Sequence, residues 1–165
     1  MRLDFAEAVI DGATLAAVRA RLAGARFERY HVPDRGRYEL NETHDEPELC
    51  GRLLRHAWQQ LGGAVLRPVA RRWTRLRRGD YALFKDDGRR WSGGDYELCL
   101  DLSAAPSREG QIVYAAPDGG ATVPQRPGGV ALVDRRGAVT RYERYLGVRF
   151  GDGEIVRLAL VLVPA

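Results

Sequence analysis

The sequence predicts an α+β fold, with an N-terminal α/β layer beneath a β-sandwich or jelly roll. Three observations support this prediction. Strand-like and helical periodicities are mixed in the first third of the chain. From Val65 onward, short apolar runs recur roughly every eight to twelve residues. Glycine- and proline-rich turns separate these runs, and this regular spacing is typical of sandwiches and jelly rolls.

The N-terminal third predicts a strand, a helix and a second strand. Residues 2–10 alternate apolar with polar side chains, as a half-buried strand does. Asp11 is a suitable N-cap for a helix that continues through Leu22 and ends at Gly24. Residues 26–32 then form a strand, and residues 34–41 form a loop or irregular strand.

The longest helix is predicted over residues 46–61, where apolar side chains recur at helical spacing before two glycines end it. The predicted apolar stripe consists of Leu49, Leu53, Leu54, Ala57, Trp58 and Leu61. Because these side chains share one face, we expect the helix to pack beneath the roll.

About eight strands follow Val65 in the prediction. They cover residues 69–76, 80–85, 96–102, 111–115, 121–124, 129–134, 138–148 and 154–163. No linker separates them from the first third, so we predict one domain over residues 1–165. Its N-terminal layer covers residues 1–63 and its jelly-roll core covers residues 64–165.

Length and composition exclude several classes of protein. The chain has 165 residues, of which 45% are apolar and 29% charged, as in a compact domain and unlike a disordered chain. Its longest mainly apolar stretch, residues 155–163, is shorter than a membrane-spanning helix. The N-terminus lacks the pattern of a secretory signal, and the two cysteines, Cys50 and Cys99, agree with a reducing compartment. We therefore expect a cytoplasmic protein without membrane contact.

The positive charge is weak support for nucleic-acid binding. Lys+Arg 26 against Asp+Glu 22 gives a net charge of +4, and arginines cluster between Arg67 and Arg78. We predict that this cluster is a solvated edge with salt bridges and that nucleic acid is not a partner. The alternative is an oligonucleotide-binding surface, whose affinity would depend steeply on salt.

Five segments of the chain together carry a resemblance to a known family. They are RGDYALFKDD at 78–87, YELCLDL at 96–102, GQIVY at 110–114, PGGVALV at 127–133 and VRLAL at 156–160. In this order they are similar to strands of the prolyl 4-hydroxylase-like 2-oxoglutarate/Fe(II) oxygenases. The resemblance covers about residues 75–163 and implies a double-stranded β-helix, which is a distorted jelly roll. It also implies a hydroxylase that binds Fe(II) through a His-x-Asp motif and a second histidine, and 2-oxoglutarate through an arginine.

The metal motif of this chain departs from that pattern. Lys85-Asp86-Asp87 stands where the family has His-x-Asp, and the second histidine position falls near residues 141–145, with Glu143 in the best register. By resemblance, Asp87 and Glu143 are the candidate metal ligands, and an oxygen-only pair suits Mg, Ca or Mn better than Fe(II). The alternative is that Lys85 pairs with Asp87 and that no metal or cofactor binds.

The three histidines of the chain precede the roll. They are His31, His44 and His56, and we predict surface or packing roles for them rather than metal ligation.

Arg157 is the candidate for binding a carboxylate. Period-two alternation places it on the same face as Ile155 and Ala159, which directs it into the roll. An inward arginine needs an anion: the resemblance implies 2-oxoglutarate, and Asp101, Glu143 or an unknown carboxylate ligand are the alternatives.

Aromatic side chains add further candidates. Tyr81 and Tyr114 are candidate cofactor-binding residues that reach a bound carboxylate, although packing is the ordinary role of such residues. Trp91, in the glycine-rich loop of residues 88–94, is a candidate lid over a pocket; a mobile surface loop is the alternative.

Two functions remain open. The first is a divergent 2-oxoglutarate/Fe(II) oxygenase that hydroxylates a protein or a small molecule through an altered site near Asp87, Glu143 and Arg157. The second is a non-catalytic jelly-roll pseudoenzyme that binds a carboxylate ligand or a protein partner. The missing histidines favour the second function, and the usual activity of the fold favours the first.

Overall fold

The computed structural model describes residues 1–33, 36–83, 94–137 and 139–165. Within these ranges there are two α-helices, α1 (Gly12–Ala23) and α2 (Pro47–Gln60), together with a 3-10 turn at Val148–Phe150. The strands of the N-terminal part are β1 (Leu3–Ala6), β2 (Glu28–Val32) and β3 (Gly36–Asn41). The strands that follow are β4 (Leu66–Leu76), β5 (Tyr81–Leu83), β6 (Tyr96–Asp101), β7 (Ser107–Ala116), β8 (Gly119–Gln125), β9 (Val130–Asp134), β10 (Thr140–Glu143) and β11 (Ile155–Pro164).

The described strands form one antiparallel sheet that folds back on itself. Its order is β1-β9-β6-β11-β4-β3-β5-β10-β7-β8, with β2 paired to β3. We call β1-β9-β6-β11-β4 the major half and β5-β10-β7-β8 the minor half; β3 pairs with β4 and with β5 and so joins them. Cys99 and Ala131 of the major half pack against Ile112 and Val123 of the minor half, so the halves face each other across a shared interior.

Both helices cover the outer face of the major half. Leu15 and Leu22 of α1 and Leu53 of α2 are buried in one cluster with strand residues such as Leu98 and Leu158. Helix α1 begins where the carboxylate of Asp11 accepts a 2.8 Å hydrogen bond from the backbone N–H of Thr14. Helix α2 has Pro47 in its first turn, where no helical hydrogen bond needs its missing N–H.

Strand β11 lies between β6 and β4 in the major half and is buried on both faces. Val156, Leu158 and Leu160 face the helices, whereas Ile155 and Ala159 face the shared interior. A strand with two buried faces reads as a continuous apolar run, as this one does except at Arg157.

The structure confirms the predicted double-stranded β-helix fold with supporting helices. The helix capped by Asp11 and the eight strands after Val65 are present among the described residues. Strands β1 and β3, which fall within the predicted N-terminal layer, pair with strands of the roll. Within the described ranges, no helix combines the length and apolar character needed to cross a membrane.

One detail of the prediction was wrong and another was correct in part. Trp58 belongs to the predicted apolar stripe of α2 but is 48% exposed, because the buried line runs through Leu49, Leu53 and Ala57 and leaves the next position on the flank. The arginine-rich strand β4 pairs with β11 along its length, but β3 pairs with it only at residues 73–75, so residues 66–72 form an edge of the described sheet and residues 73–75 do not. The salt bridges predicted for the arginine cluster are confirmed for four arginines, by the pairs Arg71–Asp45, Arg72–Glu42, Arg75–Glu39 and Arg77–Glu39.

Candidate functional site

The interior between the two halves contains a buried chain of charged side chains. Its members are Glu97 on β6, Arg141 and Glu143 on β10, and Arg157 on β11, which are at most 3% exposed. Tyr114 on β7 joins the chain from the minor half and is fully buried. Because single buried charges are costly, each of these groups requires a partner inside the protein.

Strand alternation directs these side chains inward. On β10, Arg141 and Glu143 are buried whereas Thr140 and Tyr142 are half-buried, so alternate residues face the interior. On β11, Arg157 lies between Ile155 and Ala159, whose side chains belong to the interior cluster. The inward orientation predicted for Arg157 is therefore confirmed.

Arg157 is satisfied by groups of this chain. Its Nη1 donates to Oε2 of Glu143, and its Nη2 donates to the backbone carbonyl of Gly110. Of the internal partners considered from the sequence, Glu143 is the one that pairs with Arg157. The carboxylate of Asp101 instead accepts hydrogen bonds from the side-chain amide of Gln125, at 2.8 Å, and from the backbone N–H of Ser103.

The chain continues from Glu143 to the other half of the sheet. Nη2 of Arg141 donates to Oε1 of Glu143 at 2.8 Å, and Nε of Arg141 lies 2.7 Å from Oε1 of Glu97. The hydroxyl of Tyr114 donates to that same oxygen of Glu97 at 2.7 Å. Nη1 of Arg135, near the surface, lies 3.3 Å from the other oxygen of Glu97. Two carboxylates and two buried guanidiniums thus alternate along one connected path.

The electrostatics of the interior favour the charged forms. Burial opposes the charged form of Glu143, but the adjacent Arg157 and Arg141 guanidiniums outweigh it and hold the pKa of this carboxyl below its ordinary value. Burial likewise opposes the charge of Arg141, but Glu97 and Glu143 raise its pKa well above the ordinary value. Burial, with the adjacent Glu97, raises the pKa of Tyr114, so Tyr114 stays a neutral donor.

The neighbouring thiol of Cys99 is equally unreactive in the interior. Burial raises the pKa of Cys99 to about 12, so this cysteine stays protonated at neutral pH. It packs as a small apolar side chain between the two halves.

The other predicted site residues are not all brought together. Tyr81 lies next to Ala82 on β5, and because Ala82 is in the interior cluster, alternation directs Tyr81 to the outer face. Asp87, the proposed Lys85–Asp87 pair and Trp91 lie outside the described residues.

The three histidines lie away from the interior. His31 is on β2 and His56 is on α2, while Nε2 of His44 lies 3.0 Å from Oε1 of Glu46. Within the described ranges, no three His, Cys, Asp or Glu side chains form a group that could hold a metal ion.

Two residues of the buried chain, Glu97 and Arg141, were not predicted from the sequence. Both stand at inward positions of strands: Glu97 alternates with the helix-facing Leu98, and Arg141 lies two residues before Glu143. A charged residue at a strand position whose alternation directs it inward is the signal that indicates such a network.

Comparison with known proteins supports the fold. No protein-family model matches the chain, and no curated protein does. Among solved structures, an oxidoreductase of the 2OG-Fe(II) oxygenase family from Burkholderia pseudomallei superposes with a TM-score of 0.77 at 14% identity, covering 98% of this chain and 85% of that one. A Pseudomonas putida prolyl-4-hydroxylase superposes with a TM-score of 0.71 at 14% identity, covering 99% and 92%.

A third similar structure is the viral collagen prolyl hydroxylase from Paramecium Bursaria Chlorella virus-1 in its 2OG complex. Its TM-score is 0.69 at 12% identity, and the match covers 98% of this chain and 96% of that one. At such identities the likeness defines a class by fold, and this chain has the double-stranded β-helix of the 2-oxoglutarate/Fe(II) oxygenases.

The described interior residues do not fit the groups that the fold implies. A 2-oxoglutarate carboxylate at Arg157 would compete with Glu143 and would meet its negative charge. On β10, within the segment where the resemblance expects the second metal histidine, Arg141 presents a guanidinium that has no lone pair for a metal. Glu143 itself is held through both oxygens by two arginines.

Proposed function

We propose that this chain is a non-catalytic protein with the oxygenase fold that acts by binding a protein partner. In this proposal, Glu143 supplies to Arg157 the carboxylate that the resemblance assigns to 2-oxoglutarate. The observation that carries it is the buried Arg157–Glu143 pair, in which both side chains are at most 2% exposed.

The energetics of displacement support this proposal. A ligand carboxylate that took Arg157 would leave Glu143 in the interior with Arg141 as its remaining charged partner. Removing one partner of a buried ion pair costs about 3–5 kcal/mol, and an incoming ligand would have to offset this before any net binding appeared. Bound 2-oxoglutarate is therefore disfavoured relative to the closed interior.

The charge balance of the interior supports it as well. Among the described interior residues, Glu97 and Glu143 pair with Arg141 and Arg157, and the partly buried Arg135 contacts the second oxygen of Glu97, so each buried charge has a partner within the chain. An open oxygenase site instead needs an incoming cation and an incoming dicarboxylate to complete its charges. Because these buried charges pair with one another, they stabilise the interior without a ligand. In this proposal the exposed residues, and not the interior, bind the partner.

The test is calorimetric titration of the purified protein with 2-oxoglutarate, alone and with Mn²⁺ as an oxygen-stable substitute for Fe(II). We expect no binding heat for the wild-type protein. In Glu143→Ala, the vacated position at Arg157 should accept a small carboxylate, so propionate and 2-oxoglutarate should raise the melting temperature in a saturable way. The matched control is Glu28→Ala, which removes an exposed carboxylate on β2.

Micromolar binding of 2-oxoglutarate to the wild-type protein, lost in Arg157→Ala, would overturn the proposal and support the hydroxylase alternative. If Glu143→Ala does not fold, Glu143→Ser vacates the same position with a small polar side chain and allows the same titration. Failure of carboxylates to stabilise any folded Glu143 variant would contradict the role of Arg157 as a carboxylate receptor.

A further inference from the structure

We infer that one end of the roll is a docking surface for an acidic segment of a partner protein. This surface, the basic end, consists of Arg78, Arg144, Tyr145, Val148 and Arg149. The inference rests on the proposed non-catalytic function, because it names the partner class through which such a protein would act.

Backbone hydrogen bonds bring the segments of the basic end together. The N–H of Gly79 donates to the carbonyl of Leu146 at 2.7 Å, and the N–H of Leu146 donates to the carbonyl of Asp80 at 2.9 Å. These bonds place the turn that contains Arg78 beside the segment of residues 144–149. The N–H of Gly147 also donates to the carboxylate of Glu109 at 2.8 Å, which fixes the same segment to β7.

The basic end exposes apolar surface from an anchored segment. Tyr145 is 62% exposed and Val148 is 82% exposed, the largest value among the exposed large apolar side chains of the described residues. Between them, Leu146 is fully buried in the cluster of Tyr38, Leu76 and Ala82. The exposed side chains are therefore presented by a fixed backbone, and their docking would order few new torsions.

The arginines of the basic end have little internal compensation. Within the described residues, Arg78 and Arg149 make no ion pair, and Nη1 of Arg144 reaches only the side-chain oxygen of Gln111, at 3.4 Å. The carboxylate of Glu109, which anchors the same segment, accepts a hydrogen bond from the N–H of Gly147. By contrast, Arg75 on β4 and Arg77, which directly follows β4, share the carboxylate of Glu39.

These features favour a peptide over a nucleic acid. Tyrosine and arginine are the residues enriched at the energetically dominant positions of protein interfaces, and Val148 adds aliphatic area that a phosphate backbone does not use. A nucleic acid needs an extended track of uncompensated charge, but Arg71, Arg72 and Arg75 of β4 are paired with Asp45, Glu42 and Glu39. Guanidiniums that have no ion pair among the described residues and surround an apolar pair instead match a segment with carboxylates beside an aromatic or aliphatic side chain.

The test uses the full chain and a displayed library of random dodecapeptides. Peptides selected on the wild-type protein should be enriched in Asp and Glu beside apolar residues, and salt should weaken their binding. The double variant Val148→Asp/Arg149→Glu should lower the affinity at least about tenfold. The matched control is Val65→Asp/Arg55→Glu, which makes the same changes at exposed positions elsewhere and should bind as the wild type does.

Three outcomes would overturn the inference. If the selected peptides are not enriched in acidic residues, the inferred acidic character of the partner is wrong. If the selected peptides bind the Val148→Asp/Arg149→Glu variant with the affinity of the wild type, the docking surface is not the basic end. Tighter binding of a single-stranded oligonucleotide, lost in that variant, would identify a nucleic-acid surface instead. Melting curves of both double variants exclude unfolding as the cause. The protein could bind acidic peptides at the basic end and also bind 2-oxoglutarate. That result would support the docking surface and would overturn only the proposed non-catalytic function.

Discussion

The hydroxyl of Tyr114 donates a 2.7 Å hydrogen bond to the carboxylate of Glu97 across the interior of the roll. Tyr114 lies on β7 of the minor half and Glu97 on β6 of the major half, and these strands do not pair with each other. The bond therefore joins the two halves at a place where no backbone ladder does. Because both side chains are fully buried, water cannot replace it.

Tyr114→Phe tests the contribution of this bond. The variant keeps the ring and leaves Glu97 without one donor, so we expect a loss of about 1.5–3 kcal/mol in the free energy of unfolding, the range for hydrogen bonds to charged groups. Urea denaturation measures it. Tyr142→Phe is the matched control, since Tyr142 is half-buried on the outward face of β10. Equal losses in the two variants would contradict a special role for the Tyr114 hydroxyl.

The pairing of Arg157 with Glu143 is testable by a double-mutant cycle. Arg157→Met and Glu143→Leu each leave one buried charge without its main partner, so each should cost about 3–5 kcal/mol. The double variant should cost less than the sum of the two, because Arg141 keeps Glu97 as a partner when both members are removed. Denaturant unfolding of the four proteins measures the coupling energy. Strict additivity would show that the two side chains act independently.

The pH dependence of stability follows from the direction of the Glu143 shift. Its pKa in the folded protein lies below the ordinary value of 4.5, so on acidification the unfolded chain takes up this proton first. The stabilisation is therefore complete above the ordinary value and is lost as pH falls through the folded pKa. We expect the stability difference between wild type and Glu143→Gln to be constant above about pH 5.5 and to shrink below it.

Urea unfolding of both proteins between neutral and acidic pH measures that difference. Glu28→Gln is the control, because this exposed carboxylate on β2 has no buried charge partner in the described structure. A wild-type advantage over Glu143→Gln that persists undiminished at acidic pH would show that the charge of Glu143 does not stabilise the fold.

Local sequence patterns predicted most of the fold and, in the candidate site, the inward orientation of Arg157. The Asp11 cap, the strand periods and the inward direction of Arg157 each depend on a few neighbouring residues, and all are present in the structure. The partner of Arg157 stayed open among several carboxylates, because β10 and β11 are not paired and their relative placement depends on the whole sheet. The roles of Glu97 and Arg141 escaped prediction for the same reason.

Gly110 and Gly151 share a backbone φ of +72° but differ in their surroundings, which separates two effects of glycine. At Gly151 an added Cβ would meet no atom within 4 Å, whereas at Gly110 it would overlap Cδ1 of Ile155 and approach Cδ2 of Leu146 at 3.3 Å. Gly151→Ala should cost only the conformational strain, about 1–3 kcal/mol. Gly110→Ala should add the displacement of Ile155, two residues before Arg157 on β11, and so disturb the bond from Arg157 to the Gly110 carbonyl.

We therefore expect Gly110→Ala to be the more destabilised variant by about 1–3 kcal/mol, the scale of overpacking in a filled core. Urea denaturation of both variants measures the difference. A third variant, Gly110→Ala/Ile155→Val, removes the overlapping methyl group and should recover part of the loss. Equal stability of the two single variants would mean that the interior near Arg157 accommodates an added methyl group. The interior around the Arg157–Glu143 pair would then not be closely packed.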